Sequence, residues 1–165
     1  MSIASERRGP QDGPTRPVKA FHMRWTDRIG DAVFRVLTRI GVGPASLLIT
    51  TGRRTGLSRC TPVIPVRQGG RRWLVAPYGN VPWVLNARAV GQVVLRHGRD
   101  ARSYVIRELA APEAGPILKQ YVAVASATRS YFYADVAAPA SEFVAEAHLH
   151  PVFEITAVDA ETPLR

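Results

Sequence analysis

A chain of 165 residues, 46% of them apolar and 21% charged, is long enough for one domain with a sizeable core and too apolar for a disordered segment. The lone cysteine, Cys60, excludes an internal disulfide, and no apolar run approaches the roughly 20 residues of a membrane span. The formal charge of +9 is carried almost entirely by arginine, and Asp100 is the only acid between Arg53 and Arg107, so anionic partners are favoured: a polyanionic cofactor, acidic lipid headgroups or nucleic acid.

Residues 1–19 are polar and rich in Pro and Gly and read as a mobile tail ahead of a single domain over 20–165. They lack the apolar centre of a secretory signal, which makes the cytoplasm the default location. Thr26 caps an expected helix over Asp27–Ile40, with Ile29, Val33, Val36, Leu37 and Ile40 at helical spacing and Gly41 at its end. Arg28, Arg35 and Arg39 accompany that face. The helix therefore either packs on the domain or lies on an anionic membrane surface, at the inner face of the cell membrane.

A β region follows. Strands are expected over Leu47–Thr51, Ser58–Arg67 and Arg71–Pro77, the last two joined by a Gly69-Gly70 turn. Pro62 and Pro65 inside the second strand imply an edge, a bulge or a segment whose N–H side faces a cavity. The turn Thr51-Gly52-Arg53-Arg54-Thr55-Gly56 sets adjacent arginines between two glycines, with Arg59 just beyond. Glycines allow amides to converge on an anion, and guanidinium forks match phosphate or carboxylate. A solvated hairpin tip is the plain alternative. A loop at Tyr78–Pro82 and a helix over Trp83–Val90 come next, then a hairpin of Gln92–His97 with Ala101–Leu109. A helix from Pro112 to about Val124, an aromatic loop over Ala127–Tyr133, a short helix over Ser141–His148 and a strand over Pro151–Val158 complete the chain. Hairpins separated by short helices give a mainly β, α+β fold: about six mostly antiparallel strands curling into a small barrel, with short helices at its ends. Cys60 is expected to be a small buried residue. His148 and His150 are expected at the surface, and no histidine spacing suits a metal.

Three blocks in order carry a family resemblance. Leu48–Gly56 with Arg59 and Thr61-Pro62-Val63, then Tyr78-Gly79 with Trp83–Ala89, then His150–Glu154, together resemble the deazaflavin-dependent nitroreductase family. Both central residues of the turn are arginine, where that family often has a lysine. The resemblance implies a split β-barrel, typical of actinobacteria, that uses coenzyme F-420, an 8-hydroxy-5-deazaflavin with a phosphate and an oligoglutamate tail. By similarity Arg53, Arg54, Thr55, Gly56 and Arg59 would hold the phosphate and tail. Pro62, Val63 and Ile64 would line the ring on one side, and Ala76, Pro77, Tyr78 and Gly79 would approach it from the next strand. Trp83 would pack beside the site and Asn86 would fix the turn of its helix. On that reading the chemistry is hydride transfer to a quinone or nitroaromatic, with the phenols of Tyr131 and Tyr133 facing the acceptor as proton or hydrogen-bond donors. Tyrosines that close the core are the alternative. Flavin mononucleotide is a second cofactor candidate. A non-catalytic barrel holding a fatty acyl or isoprenoid ligand at the membrane is the competing function, and monomer and homodimer are both open. No RNA-binding motif accompanies the basic stretch, so nucleic acid is not expected as a partner.

Overall fold

The computed structural model describes residues 43–158. The expected tail, the Thr26 cap and the Asp27–Ile40 helix lie outside the described residues.

The strands build one sheet with two distinct apolar faces. The strands are β1 (Ser46–Thr51), β2 (Ser58–Val63), β3 (Val66–Gln68), β4 (Arg71–Val75), β5 (Gln92–His97), β6 (Asp100–Glu108) and β7 (Val152–Ala157). The helices are α1 (Pro82–Val90), α2 (Ala111–Val124) and α3 (Ala140–Glu146), with 3-10 turns at Ser126–Tyr131 and Ala147–Leu149. All neighbouring strands are antiparallel, in the order β2-β1-β5-β6-β7-β4-β3. The two edge strands, β2 and β3, are consecutive in the chain and separated only by Ile64 and Pro65. The sheet therefore curls until its edges meet at that corner, as a split barrel.

One expected strand, Ser58–Arg67, is thus two, and the sheet has seven strands where about six were expected. Proline is the reason. The β3–β4 ladder pairs Val66 with Trp73, and extending that register would set Ile64 against Val75 and Pro62 against Pro77. Pro62, Pro65 and Pro77 have no N–H to give, so the ladder stops and the barrel stays open along this seam.

The inner face holds Leu48, Leu74, Val93, Leu95, Phe153 and Ile155, closed at one end by Trp83, Val84 and Ala87 of α1. Trp83 packs edge-on to Phe153 at 5.7 Å between ring centroids. The outer face of β4 and β7 holds Trp73, Val75 and Val152, covered by Ile117, Leu118 and Tyr121 of α2 and Phe143 of α3. α2 and α3 approach so closely that a Cβ at Gly115 would collide with Val144 Cγ2 and lie 3.0 Å from the Ala140 carbonyl oxygen.

Cys60 departs from expectation. It lies exposed on the outer face of β2, opposite Ile49 in β1, where no helix among the described residues covers this edge strand. Much of the arginine-rich span is engaged outside the barrel. Arg71 and Arg107 both pair with Glu154, Arg107 also with Glu113 at 3.0 Å, and Arg88 of α1 with Glu108 at 2.6 Å and Asn80 at 2.6 Å. Hydrogen bonds to these carboxylates push the Arg107 and Arg88 guanidiniums above their ordinary range, Arg107 the further. No helix among the described residues is long and apolar enough to cross a membrane.

Candidate functional site

The glycine turn between β1 and β2 is folded by its own hydrogen bonds. The Gly52 carbonyl accepts from the amides of Thr55 (3.2 Å) and Gly56 (2.8 Å), and the Gly52 amide donates to the Leu57 carbonyl at 2.8 Å. The Leu57 amide reaches Thr55 Oγ1 at 3.4 Å. Two glycines are needed for two reasons. Gly56 sits at φ +68°, and a Cβ on Gly52 would press within 3.0 Å of both Leu57 O and Thr55 Oγ1. The expectation of convergent free amides is therefore corrected: the amides of Gly52, Thr55, Gly56 and Leu57 already have acceptors within the turn.

Asn86 fastens this turn to α1. Its Oδ1 accepts from the Arg53 amide at 3.2 Å and from Arg53 Nη1 at 3.3 Å, and its Nδ2 donates to Thr50 Oγ1 at 3.4 Å. Asn86 is 4% exposed, so it fixes the arginine turn to the helix rather than shaping the helix alone. Arg54 and Arg59 are exposed, and no acid among the described residues pairs with Arg53, Arg54 or Arg59. Arg59 lies opposite Thr50 in the ladder, on the same face as the Asn86 contact.

The same helix leads back to the second group of expected residues. Trp83, one turn before Asn86, follows the loop that carries Tyr78 and Gly79. Ala76 and Pro77 are buried, Tyr78 is 39% exposed and Gly79 turns at φ +78°. Across the seam stand Pro62, Val63 and Ile64. Val63 shares the inner cluster with Ala76 and Trp83, while Ile64 packs on the outer cluster with Val75. The two expected ring-side segments thus face each other where strand pairing fails. Val63 and Trp83 are core residues in this arrangement, so backbone rather than side chain is what the inner part of the seam offers. Tyr131 is half-buried, and its ring meets Tyr78 edge-on at 4.7 Å. Tyr133, 49% exposed, lies apart from that pair on an open concavity of about 560 Å³ with Glu142, Glu146, His148 and Leu149. A second cleft of about 480 Å³ opens at the barrel corner, between Ile64–Arg67 and Gln120–Val124. The arginine turn lines neither concavity.

Comparison with known proteins decides the family. The sequence matches the F420H(2)-dependent quinone reductase family over residues 22–140. The chain belongs to that family. Its members are oxidoreductases, so this quinone reductase homologue is placed in an enzyme family that the three sequence blocks had indicated. Among solved structures, one described as a domain-swapped dimer is 23% identical, covering 79% of this chain and 98% of its own, at a TM-score of 0.50. A protein of unknown function from Agrobacterium tumefaciens is 12% identical over 80% of this chain and 58% of its own, at a TM-score of 0.51. A structure described as an F420-H2 dependent reductase is 23% identical over 68% of this chain and 94% of its own, with a TM-score of 0.48. The first two share the fold with this quinone reductase family member.

The donor set of the turn fits the acidic end of a deazaflavin coenzyme. Three guanidiniums without acidic partners among the described residues suit a phosphate and several carboxylates better than a neutral ligand. Because the amides of the turn are already bonded, the donors it presents to a ligand are its side chains.

Two buried ionisable residues were missed by sequence reading. His150 is 3% exposed rather than at the surface, and Glu146 is 5% exposed. Burial alone would push the Glu146 carboxyl up. The His150 imidazole and the amides of Tyr133 and Ala134 outweigh it and hold the group below the usual carboxylate range. Tyr121 is also buried, and desolvation pushes its phenol up to about 12 despite Thr128. The available signal for the first pair was their spacing: four residues apart across the end of a short helix, immediately before a strand.

Proposed function

We propose that this chain binds coenzyme F-420 and catalyses hydride transfer from its reduced form to an electron-poor small molecule, a quinone or a nitroaromatic. One observation carries the reading: α1 ties an arginine turn free of acidic partners among the described residues, through Asn86, to the open seam and the Tyr78–Tyr131 pair. Arg53, Arg54 and Arg59 hold the phosphate and the carboxylate tail, with Thr55 and Gly56 keeping the turn in shape. Pro62–Ile64 and Ala76–Gly79 flank the flat ring with backbone, supported from beneath by Trp83. When bound, the coenzyme supplies the hydride.

The protein's own contribution is placement and the proton. Reduction of a quinone to a hydroquinone needs one proton as well as a hydride, and we assign the phenol of Tyr131, beside Tyr78, to hydrogen-bond the acceptor oxygen as charge develops there, with Tyr133 on the neighbouring open surface as the second candidate. Of the two, Tyr131 is the nearer to Tyr78 and has the larger role. The assembly we propose is a homodimer, the state in which one similar structure is described.

Titration with oxidised and reduced F-420, followed by quenching of tryptophan fluorescence, tests the cofactor. Steady-state reduction of menadione then tests the acceptor class. Absence of F-420 binding removes the reading, and tight binding of flavin mononucleotide in its place reassigns the cofactor. Tyr131→Phe is expected to lower kcat while leaving F-420 affinity within about twofold, since one hydroxyl on the acceptor side is removed.

A further inference from the structure

Burying a carboxylate and an imidazole is costly, and an apolar pair of the same volume would fill the same space at least as stably. The polar pair Glu146–His150 does something an apolar pair cannot: it grips three backbone groups on two separate segments. His150 Nδ1 lies 3.0 Å from the Pro77 carbonyl oxygen, one residue before Tyr78. Glu146 Oε2 accepts from the Tyr133 amide at 2.8 Å and Oε1 from the Ala134 amide at 3.1 Å. Glu146 Oε2 and His150 Nε2 then face each other at 3.5 Å, and this carboxylate oxygen is the neighbour that the otherwise unpartnered Nε2 has. Phe132 stacks on the imidazole at 4.0 Å between centroids and 28° between planes, which fixes the ring's orientation. The start of the first segment is also tied to the last strand, Ala76 amide to Pro151 carbonyl at 2.9 Å, but beyond it the backbone bonds are local, Gly79 amide to Ala76 carbonyl and Phe132 amide to Arg129 carbonyl.

We propose that Glu146 and His150 are positioning residues that latch the Pro77–Gly79 loop to the Phe132–Ala134 segment, and so hold Tyr78 and Tyr131 as one wall of the acceptor subsite. This rests on the function proposed above for Tyr131. A chain of contacts runs from the Pro77 carbonyl through the imidazole and the carboxylate to two amides, and on each side of it a tyrosine extends to meet the other at 4.7 Å. Losing the latch lets the two segments move independently, and the acceptor meets a wall of unfixed width.

The test uses the full chain with His150→Phe, which keeps the stack on Phe132 and removes the donor to Pro77, and His150→Asn, whose amide nitrogen stands where Nδ1 stood. Hydrogen–deuterium exchange reads the latch without any cofactor. In His150→Phe the amides of 76–80 and of 131–134 are expected to exchange faster together, with the sheet amides of β1, β5 and β6 unchanged, and His150→Asn, which keeps a donor to Pro77 but does not reach Glu146, restores protection at 76–80 alone. With F-420 bound, the KM for menadione is expected to rise about tenfold in His150→Phe while kcat stays within about threefold, the removal of one buried hydrogen bond expressed in acceptor binding. Unchanged exchange in either segment, faster exchange spread evenly over the sheet, or an unmoved KM overturns the proposal. If His150→Phe does not fold, Glu146→Gln reads the same coupling: faster exchange at 76–80, which Glu146 does not touch, supports the latch, and full protection there overturns it. Should the wild-type protein fail to bind F-420, the proposed function falls, while the exchange result still decides the latch.

Discussion

Asn86→Ala separates the two things the arginine turn must do, fold and bind. The substitution removes the acceptor for the Arg53 amide and guanidinium, at 3.2 and 3.3 Å, and the donor to Thr50 at 3.4 Å. These bonds are longer than the ~2.9 Å mode, so each contributes near the low end of about 0.5–1.5 kcal/mol. The Arg53 amide is left facing a site where Asn86 was 4% exposed, and an orphaned donor adds on the order of 1 kcal/mol. The sum is about 2–3 kcal/mol, which for a domain of this size lowers Tm by roughly 4–10 °C. Thermal melts followed by circular dichroism measure it. The second consequence concerns F-420. A turn no longer docked on α1 must be ordered when the coenzyme binds, and fixing one further residue costs about 1–2 kcal/mol, so affinity is expected to fall about tenfold. An unchanged Tm refutes the docking account. A lowered Tm with undiminished F-420 affinity refutes the idea that docking prepares the turn for the coenzyme.

Arg54→Ala and Arg59→Ala should behave in the opposite way. Tm should stay within about 1 °C of wild type, since both side chains are exposed and have no acidic partner among the described residues, but F-420 affinity should drop about ten- to a hundredfold for each charge-assisted hydrogen bond removed. Measured by fluorescence titration, the wild-type affinity should also weaken with added salt. Gly115→Ala should destabilise by about 1–3 kcal/mol in urea titrations although helix propensity favours alanine, because the new Cβ meets Val144 and the Ala140 carbonyl. A stabilised variant would show that α2 and α3 separate freely. Glu146 is held below the usual carboxylate range, so its contribution is present above the unfolded carboxyl value of about 4.3 and is lost as pH falls through its lower folded value. Urea midpoints measured from pH 7 to pH 3 should therefore fall more steeply for wild type than for Glu146→Gln, and parallel curves would refute the assignment.

The arginine turn, the helix after Pro82 and the succession of elements along the chain were legible because each is local, whereas the insertion of the last strand between β6 and β4 was not. Glycines at 52 and 56, the Pro at the start of α1 and two-residue alternation announce themselves over a few neighbours. The break between β2 and β3 was half legible: Pro62 and Pro65 signalled an irregular edge, but only the pairing of Val66 with Trp73 shows that the irregularity is where the barrel stays open. The fate of the charges was not legible. Arg71, Arg88 and Arg107 find their acids at Glu154, Glu108 and Glu113, some of them tens of residues away, and no pattern in the basic span predicts which arginines remain free. His150 was misplaced for the same reason. Its polarity points outward, and only the distant Pro77 carbonyl and Glu146 make its burial tolerable. Tyr131 and Tyr133 looked like a pair in sequence, yet a 3-10 turn sends one ring toward Tyr78 and the other to an open surface.

The imino acids along the corner have one more effect. An edge with exposed amides and carbonyls invites a strand from another molecule to dock, and two such edges in one sheet would invite each other. At positions 62, 65 and 77 the hydrogen that such docking requires is missing from the covalent structure. At those three positions composition itself keeps the gap from zipping shut, and no residue other than glycine takes a positive φ among the described positions. Exchange of Pro65 for an ordinary residue would be the simplest way to ask whether a flat ring still finds room there.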